Sequence, residues 1–291
     1  MPGSTIDGKE AAAEVRAKVA SAVERHKESG GTVKALAVVE VGDNPASKVY
    51  IRMKERAARE VGFDFMRVSL PPECTQQQLE DQVRQLNDNP AVAGFLVQSP
   101  VPDHLDEPAI LDIIDPAKDV DGFNPINQGR LFLGKDGMVP CTPRGVMYLL
   151  DREGVELKGA HAVVVGRSHL VGRPMALLLL HRHCTVSICH SRTRDLGAIT
   201  SQADILVSAV GRPRIITGDM VKKGAVCIDV GINRIEDPSH PKGGYLVGDL
   251  DFDPVMEVAS KVTPVPGGVG PMTVAMLMVN TAKAANIPLK L

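Results

Sequence analysis

The sequence predicts an α/β protein of two domains, the second a Rossmann-like dinucleotide-binding domain. Three observations carry that expectation. The chain has 291 residues, more than one hydrophobic core usually spans. Apolar runs rich in β-branched residues alternate with amphipathic helical segments, the pattern of a parallel sheet with crossover helices. Three strands of the second half run into glycine, at Gly166, Gly211 and Gly231. Open α/β sheets bind ligands beyond the carboxyl ends of their strands, and glycine lets the backbone approach them closely.

The elements follow from local signals. Glu10 to Lys27 has helical spacing and stops at Gly30-Gly31; Ala35 to Val41 is a buried strand. Gly42 to Pro45 turns the chain, with Asn44 as N-cap and Pro45 at the first helical position of a helix that stops at Gly62. Phe63 to Leu70 is a strand, Thr75 to Asn87 a helix and Val92 to Gln98 a strand. Prolines at 100, 102, 108 and 116 punctuate a region with one short helix. Cys141-Thr142-Pro143 opens a helix through Leu150, with Thr142 as N-cap, and the domain boundary is expected there. The second series has strands at Ala162 to Val165, Thr185 to Cys189, Asp204 to Val210 and Ala225 to Val230, and a final helix at Met272 to Ala285.

Composition excludes several partners. The 33 Lys and Arg balance 35 Asp and Glu, and aromatic residues are 3% with no Trp. A nucleic-acid interface would want a basic excess and stacking platforms, so none is expected. The five cysteines form no C-x-x-C, which suits reduced thiols, and no apolar run is long enough to cross a bilayer. A cytoplasmic protein that does not enter membranes is expected.

The stretch Val163 to Pro174 reads as strand, tight turn and helix, a unit that can set a phosphate at a helix N-terminus. Its spacing, Gly166 to Gly172, departs from G-x-G-x-x-G, so an ordinary βα turn remains open on this stretch alone. The strand Thr185 to Cys189 is followed by His190-Ser191-Arg192-Thr193-Arg194, hydroxyls and guanidinium groups where an NAD site would place a carboxylate. A 2′-phosphate suits such groups, which favours NADP, against the alternative of a solvated basic loop. His181, His183, Cys184, Cys189 and His190 fit no recognised metal-ligand spacing, and Asp119-Val120-Asp121-Gly122 lacks the remaining ligands of a calcium loop. No metal is expected.

For chemistry, Tyr50 and Lys54 share one helix face at i, i+4. A lysine shielded from water can serve as a proton carrier, and a tyrosine can stack on an aromatic substrate; a solvated helix face is the bland alternative. Gln98 ends an apolar strand, where site residues collect but polar strand ends are also routine. A fixed carboxylate in the Asp119 to Gly122 turn could accept two N–H bonds from a heterocycle.

Together, Tyr50-x-x-x-Lys54, Val97-Gln98-Ser99-Pro100-Val101-Pro102, Pro116-x-Lys118-Asp119-Val120-Asp121-Gly122-Phe123, Pro140-Cys141-Thr142-Pro143, Gly166-Arg167-Ser168, Val171-Gly172-Arg173-Pro174 and Pro264 to Thr273 resemble the bifunctional methylenetetrahydrofolate dehydrogenase/methenyltetrahydrofolate cyclohydrolase (FolD) family, almost end to end. The resemblance implies two α/β domains around a cleft: residues 1–140 with a C-terminal helix at 271–291 as the folate-binding catalytic domain, and 141–270 as the NADP-binding domain. It implies Lys54 as the central catalytic residue, Gln98 tuning it, Tyr50 stacking on the aminobenzoyl ring and Asp121 holding the pterin edge. Gly166, Arg167, Ser168, Ser191 and Ile232 would contact NADP, joined by Arg192 and Gly211 from the loop and strand-end readings. Pro264, Gly267 and Gly268 would line the folate site.

The implied reactions are oxidation of 5,10-methylenetetrahydrofolate with NADP and hydrolysis of the methenyl product to 10-formyltetrahydrofolate, in a homodimer. Ser99 stands where the family usually has Leu, and Arg56 where a second Lys is common. The competing reading is an NAD(P)-dependent dehydrogenase of another small substrate, which leaves the conjunction of Tyr50, Lys54, Gln98 and Asp121 unexplained.

Overall fold

The computed structural model describes residues 3–241 and 243–291. The first half of the chain forms β1 (Ser4–Thr5), α1 (Gly8–Glu28), β2 (Ala35–Val41), α2 (Pro45–Glu60), β3 (Phe65–Leu70), α3 (Gln76–Asp88), β4 (Val92–Val97), α4 (Glu107–Ile113), α5 (Pro125–Phe132) and α6 (Cys141–Arg152). The second half forms β5 (His161–Val165), α7 (Gly172–His181), β6 (Thr185–Cys189), α8 (Leu196–Thr200), β7 (Ile205–Ser208), β8 (Val226–Asp229), β9 (Asn233–Glu236), β10 (Gly244–Val247), α9 (Phe252–Val258), β11 (Lys261–Val262) and α10 (Val269–Ala284). No helix among the described residues is long and apolar enough to cross a membrane.

These elements make two compact units. One comprises Ala13–Cys141 with Val274–Leu291, the other the N-terminal segment through Ala12 with Thr142–Thr273. The placement of the first residues differs from the expected domain limits. β1 pairs in parallel with β11, Ser4 opposite Lys261 and Thr5 opposite Val262, so this segment edges the second sheet. Two polar residues carry no periodicity that could have announced such a strand.

In the first unit β3, β2 and β4 form a parallel sheet in that order. Both faces of β2 and β4 are covered, which is why they read as apolar runs, broken in β2 by Glu40, whose carboxyl accepts from Arg67 and Ser69. Val39, Val41, Phe95 and Val97 pack with Leu79, Val83 and Leu86 of α3 and Ile110 of α4. Each such side chain stabilises the fold by roughly 1.5–3 kcal/mol relative to exposure. Thr75 starts α3 through a reciprocal cap with Gln78. The ladder ends at the carboxyl side with the Gln98 N–H donating to the Val39 carbonyl at 2.8 Å, which sets Gln98 at the carboxyl end of the sheet.

In the second unit a six-stranded sheet runs β1-β11-β8-β7-β5-β6, with parallel pairing throughout. From β5 the chain passes through α7 to β6 on one side, then returns to β7 on the other. The carboxyl ends of β5 and β7 therefore flank a topological switch point, where such sheets open a binding crevice. Two features depart from expectation. The antiparallel hairpin β9–β10 is hidden by a connection rich in Pro and Gly, which reads as plain loop. Thr142 does not cap α6, which already includes Cys141; its hydroxyl lies 2.8 Å from that of Thr273, so its oxygen is engaged across to the start of α10.

Candidate active site and dinucleotide site

α2 presents the expected chemistry. Pro45 begins the helix and the Asn44 side chain accepts from the Ser47 N–H at 3.3 Å, the cap anticipated from sequence. One turn apart, Tyr50 is 46% exposed and Lys54 half-buried. The Lys54 Nζ donates to Gln98 Oε1 at 3.0 Å, while Gln98 Nε2 donates to the Ser99 carbonyl at 2.8 Å. With its amide nitrogen committed to a carbonyl, Gln98 can offer the ammonium only its oxygen. The Ser99 hydroxyl turns away to the Glu107 carboxyl.

The turn at Asp119 separates two carboxyl groups that look alike in sequence. Residues 118 and 119 run beside β4, Phe95 donating to the Lys118 carbonyl at 2.9 Å. Asp119 is buried and accepts four bonds: Gly122 N–H at 3.0 Å, Phe123 N–H at 3.1 Å, Asn124 N–H at 2.9 Å and Asn127 Nδ2 at 2.8 Å. Asn280 of α10 donates to the Val120 and Val139 carbonyls at 2.8 and 2.9 Å and holds the same segment from behind. Asp121, two residues on, receives one hydrogen bond among the described residues, from the Cys141 thiol at 4.0 Å. Loss of water pushes its carboxyl upward, against the pull of the Lys54 charge. Lys54, Gln98 and Asp121 thus form one cluster, with Asp121 open to a ligand donor.

In the other unit the glycine spacing of the β5–α7 turn has a steric cause. A Cβ on Gly172 would lie 2.2 Å from the Gly166 carbonyl oxygen, and one on Gly166 would lie 2.4 Å from the Ala209 carbonyl oxygen. Gly166 also has φ of 130°. Strand end, helix start and the β7 end thus meet at the switch point. Ser168 Oγ accepts from the Val171 and Gly172 N–H groups at 3.1 and 3.3 Å, shaping the turn. Arg167, Ser168 and His169 are exposed.

After the adjacent β6, Thr193 Oγ1 accepts from the His190 N–H at 2.8 Å and closes a tight turn, on which Ser191 and Arg192 are exposed. The nearest acid, Asp195, accepts from Ala198 N–H at 3.1 Å as the cap of α8. Gly211 follows β7 with φ of 67°, and Ile232 follows β8 and is 46% exposed. Pro264, Gly267 and Gly268 lie in a turn closed by the Gly268 N–H on the Pro264 carbonyl at 2.8 Å, and it packs so closely on the start of α1 that a Cβ at Gly8 would meet the Gly268 oxygen at 1.8 Å.

Two buried acids of this unit escaped the sequence reading. Asp229 ends β8 and accepts from the Gly231, Asp249 and Leu250 N–H groups at 3.0, 2.9 and 2.8 Å; burial pushes its carboxyl up to about 7. Asp249 accepts from five donors, on Ser208 at the end of β7, on Val210, Gly211 and Arg212 just beyond it, and on Asn233 at the start of β9. All five cysteines are buried and outside any disulfide, and among the described residues no group of three or more His, Cys, Asp or Glu is placed to hold a metal.

Comparison with known proteins connects the two units to one family. Residues 6–121 match the model for the catalytic domain of tetrahydrofolate dehydrogenase/cyclohydrolase, and residues 140–288 match its NAD(P)-binding domain. The chain is 53% identical over 284 residues to the bifunctional protein FolD of Halothermothrix orenii, covering 97% of this chain and 98% of that one. The crystal structure of the Campylobacter jejuni FolD methylenetetrahydrofolate dehydrogenase/cyclohydrolase superposes with a TM-score of 0.93 at 45% identity, over 97% and 98% of the two chains. That of the Trypanosoma brucei enzyme, complexed with NADP and an inhibitor, gives 0.93 at 38%, over 98% of each. The chain belongs to the tetrahydrofolate dehydrogenase/cyclohydrolase family.

Proposed function

We propose that this chain oxidises 5,10-methylenetetrahydrofolate with NADP and hydrolyses the methenyl product to 10-formyltetrahydrofolate. The observation that carries the proposal is the Lys54–Gln98 hydrogen bond beside the open carboxyl of Asp121. Residues 13–141 with 274–291 take the folate and residues 142–273 the dinucleotide.

The roles follow from the chemistry of each group. Asp121 accepts N–H bonds from the pterin edge, a pairing strengthened where water is scarce. Tyr50 offers an exposed ring for the aminobenzoyl group. Bound NADP supplies a hydride acceptor, and the protein need only orient the one-carbon bridge toward it. The methenyl cation is electrophilic without further activation. Lys54, held by Gln98, holds or relays the proton of the attacking water.

The dinucleotide residues fit NADP. Gly166 lets the β5 and β7 ends close together at the switch point, Gly211 leaves space there, Arg167 and Arg192 supply cations with Ser168 and Ser191 beside them, and Ile232 offers an apolar contact. The acid that could otherwise pair with a ribose hydroxyl, Asp195, is occupied as a helix cap. A homodimer is also proposed, through the β6 edge of the sheet, where Leu180 and Ile188 are 54% and 46% exposed. The free thiols favour a reducing, cytoplasmic setting.

An absorbance assay with 5,10-methylenetetrahydrofolate tests the proposal, following the reduced dinucleotide and the methenyl chromophore together. NADPH should form, with NADP preferred over NAD, and added methenyl compound should decay faster than in buffer. Absence of reduced product with either dinucleotide would overturn the assignment.

A further inference from the structure

Asp249 lies outside every motif read from the sequence, yet it accepts more hydrogen bonds than Asp119, Asp121 or Asp229. Its Oδ2 accepts from Ser208 Oγ at 3.2 Å, Val210 N–H at 2.8 Å and Gly211 N–H at 3.3 Å. Its Oδ1 accepts from Arg212 N–H at 2.9 Å and Asn233 Nδ2 at 3.0 Å. The residue is fully buried, and a Cβ on Gly231 would fall 2.0 Å from Oδ1. Asp229 fixes it from behind, accepting from the N–H groups of Asp249 and Leu250. One carboxyl group therefore sets the path of the chain at 210–212, just beyond β7, and at 231–233, just beyond β8.

The sheet order gives these loops a place on the ligand. The cations and hydroxyls suited to a 2′-phosphate stand after β5 and β6, whereas β7 and β8 lie on the opposite side of β5. A dinucleotide whose pyrophosphate sits at the β5 turn, with its adenosine half over β6, extends its nicotinamide half over the ends of β7 and β8. From this, and resting on the NADP reading above, we infer that Asp249 is a positioning residue that shapes the β7 and β8 loops for the nicotinamide half of the cofactor. Its carboxyl is consumed by the protein and touches no ligand; its effect passes through Val210, Gly211, Arg212 and Asn233.

The test is Asp249→Asn. An NH2 group at the Oδ2 position would face the Val210 and Gly211 N–H groups, and one at the Oδ1 position the Arg212 N–H, so in either orientation a backbone donor loses its acceptor while side-chain volume is preserved. Equilibrium binding is measured with NADP and with 2′,5′-ADP, which carries the adenosine half alone, and hydrolysis of 5,10-methenyltetrahydrofolate, which consumes no dinucleotide, serves as the control. The expected result is NADP affinity lower by about tenfold or more, with 2′,5′-ADP affinity and hydrolysis within about twofold of wild type.

Unchanged NADP affinity in the folded variant overturns the inference. Equal weakening of NADP and 2′,5′-ADP also overturns it, because Asp249 would then support the unit as a whole. If Asp249→Asn does not fold, Asn233→Ala, which removes one donor, is judged by the same criteria with an expected loss in NADP affinity of about threefold. Wild-type protein that binds no NADP would overturn the cofactor reading itself, before any variant is compared.

Discussion

Each unit contains a buried acid that builds a loop, and the comparison between the loops at 119–127 and 208–233 shows how such acids differ from those that bind. Asp119 receives four protein donors and fixes the turn that displays Asp121. Asp249 receives five and fixes the strand-end loops that carry Gly211 and Ile232. In both places the satisfied carboxyl shapes the chain, and the residues proposed to meet a ligand are its neighbours. Asp121, with one weak thiol donor, retains nearly its whole accepting capacity. The number of donors already present, and not the residue type, separates the two roles.

The largest expected effect sharpens the chemical side of that contrast. Lys54→Ala should lower hydrolysis of 5,10-methenyltetrahydrofolate by about 10²–10⁴-fold while NADP binding is retained; unchanged hydrolysis would remove Lys54 from the mechanism. Next is Asp229, whose three N–H donors do not offset burial. Because its folded pKa of about 7 lies above the ordinary carboxyl value, the native state holds its proton more tightly. Its stabilising contribution is complete below the ordinary value and is lost as pH rises through about 7. Denaturation measured from pH 5 to 8 should show wild type losing on the order of 2 kcal/mol relative to Asp229→Asn. Parallel curves would refute this.

On the dinucleotide side, Arg192→Ala should reduce the preference for NADP over NAD by about tenfold, the value of one charge-assisted phosphate contact. An unchanged ratio of kcat/KM for the two cofactors would count against the 2′-phosphate assignment. The smallest effect is expected at Ser99. Gln98 uses the Ser99 backbone carbonyl, so Ser99→Leu should alter either activity by less than about threefold, despite losing the hydroxyl bond to Glu107. A larger loss would mean that this side-chain pair also steers Gln98.

Much of this was legible in the residues, for identifiable reasons. β2 and β6 occupy the expected Ala35–Val41 and Thr185–Cys189, bounded by turn-forming residues. Tyr50 and Lys54 lie on one helix as the i, i+4 spacing requires, and Lys54 donates to Gln98. The Gly166 to Gly172 spacing, weak as a motif, has its explanation in a contact between the two glycines. Residue chemistry alone could not tell Asp119 from Asp121, and only the family resemblance singled out Asp121, because their difference lies in donors supplied by Asn127 and by the backbone of a turn. Asp249 was invisible for a related reason. Its partners at 208–212 precede it by 37 to 41 residues, and most are backbone N–H groups, which every residue but proline possesses.

The claim that a satisfied carboxyl builds while an open one binds is tested most directly by measuring stability and folate affinity together in Asp119→Asn and Asp121→Asn. Asp119→Asn should lose about 3 kcal/mol of stability, because an NH2 group would replace an acceptor among four donors. Asp121→Asn should remain within about 0.5 kcal/mol of wild type and bind tetrahydrofolate ligands about tenfold or more weakly. Equal destabilisation by the two variants, or undiminished folate binding in Asp121→Asn, would contradict the account.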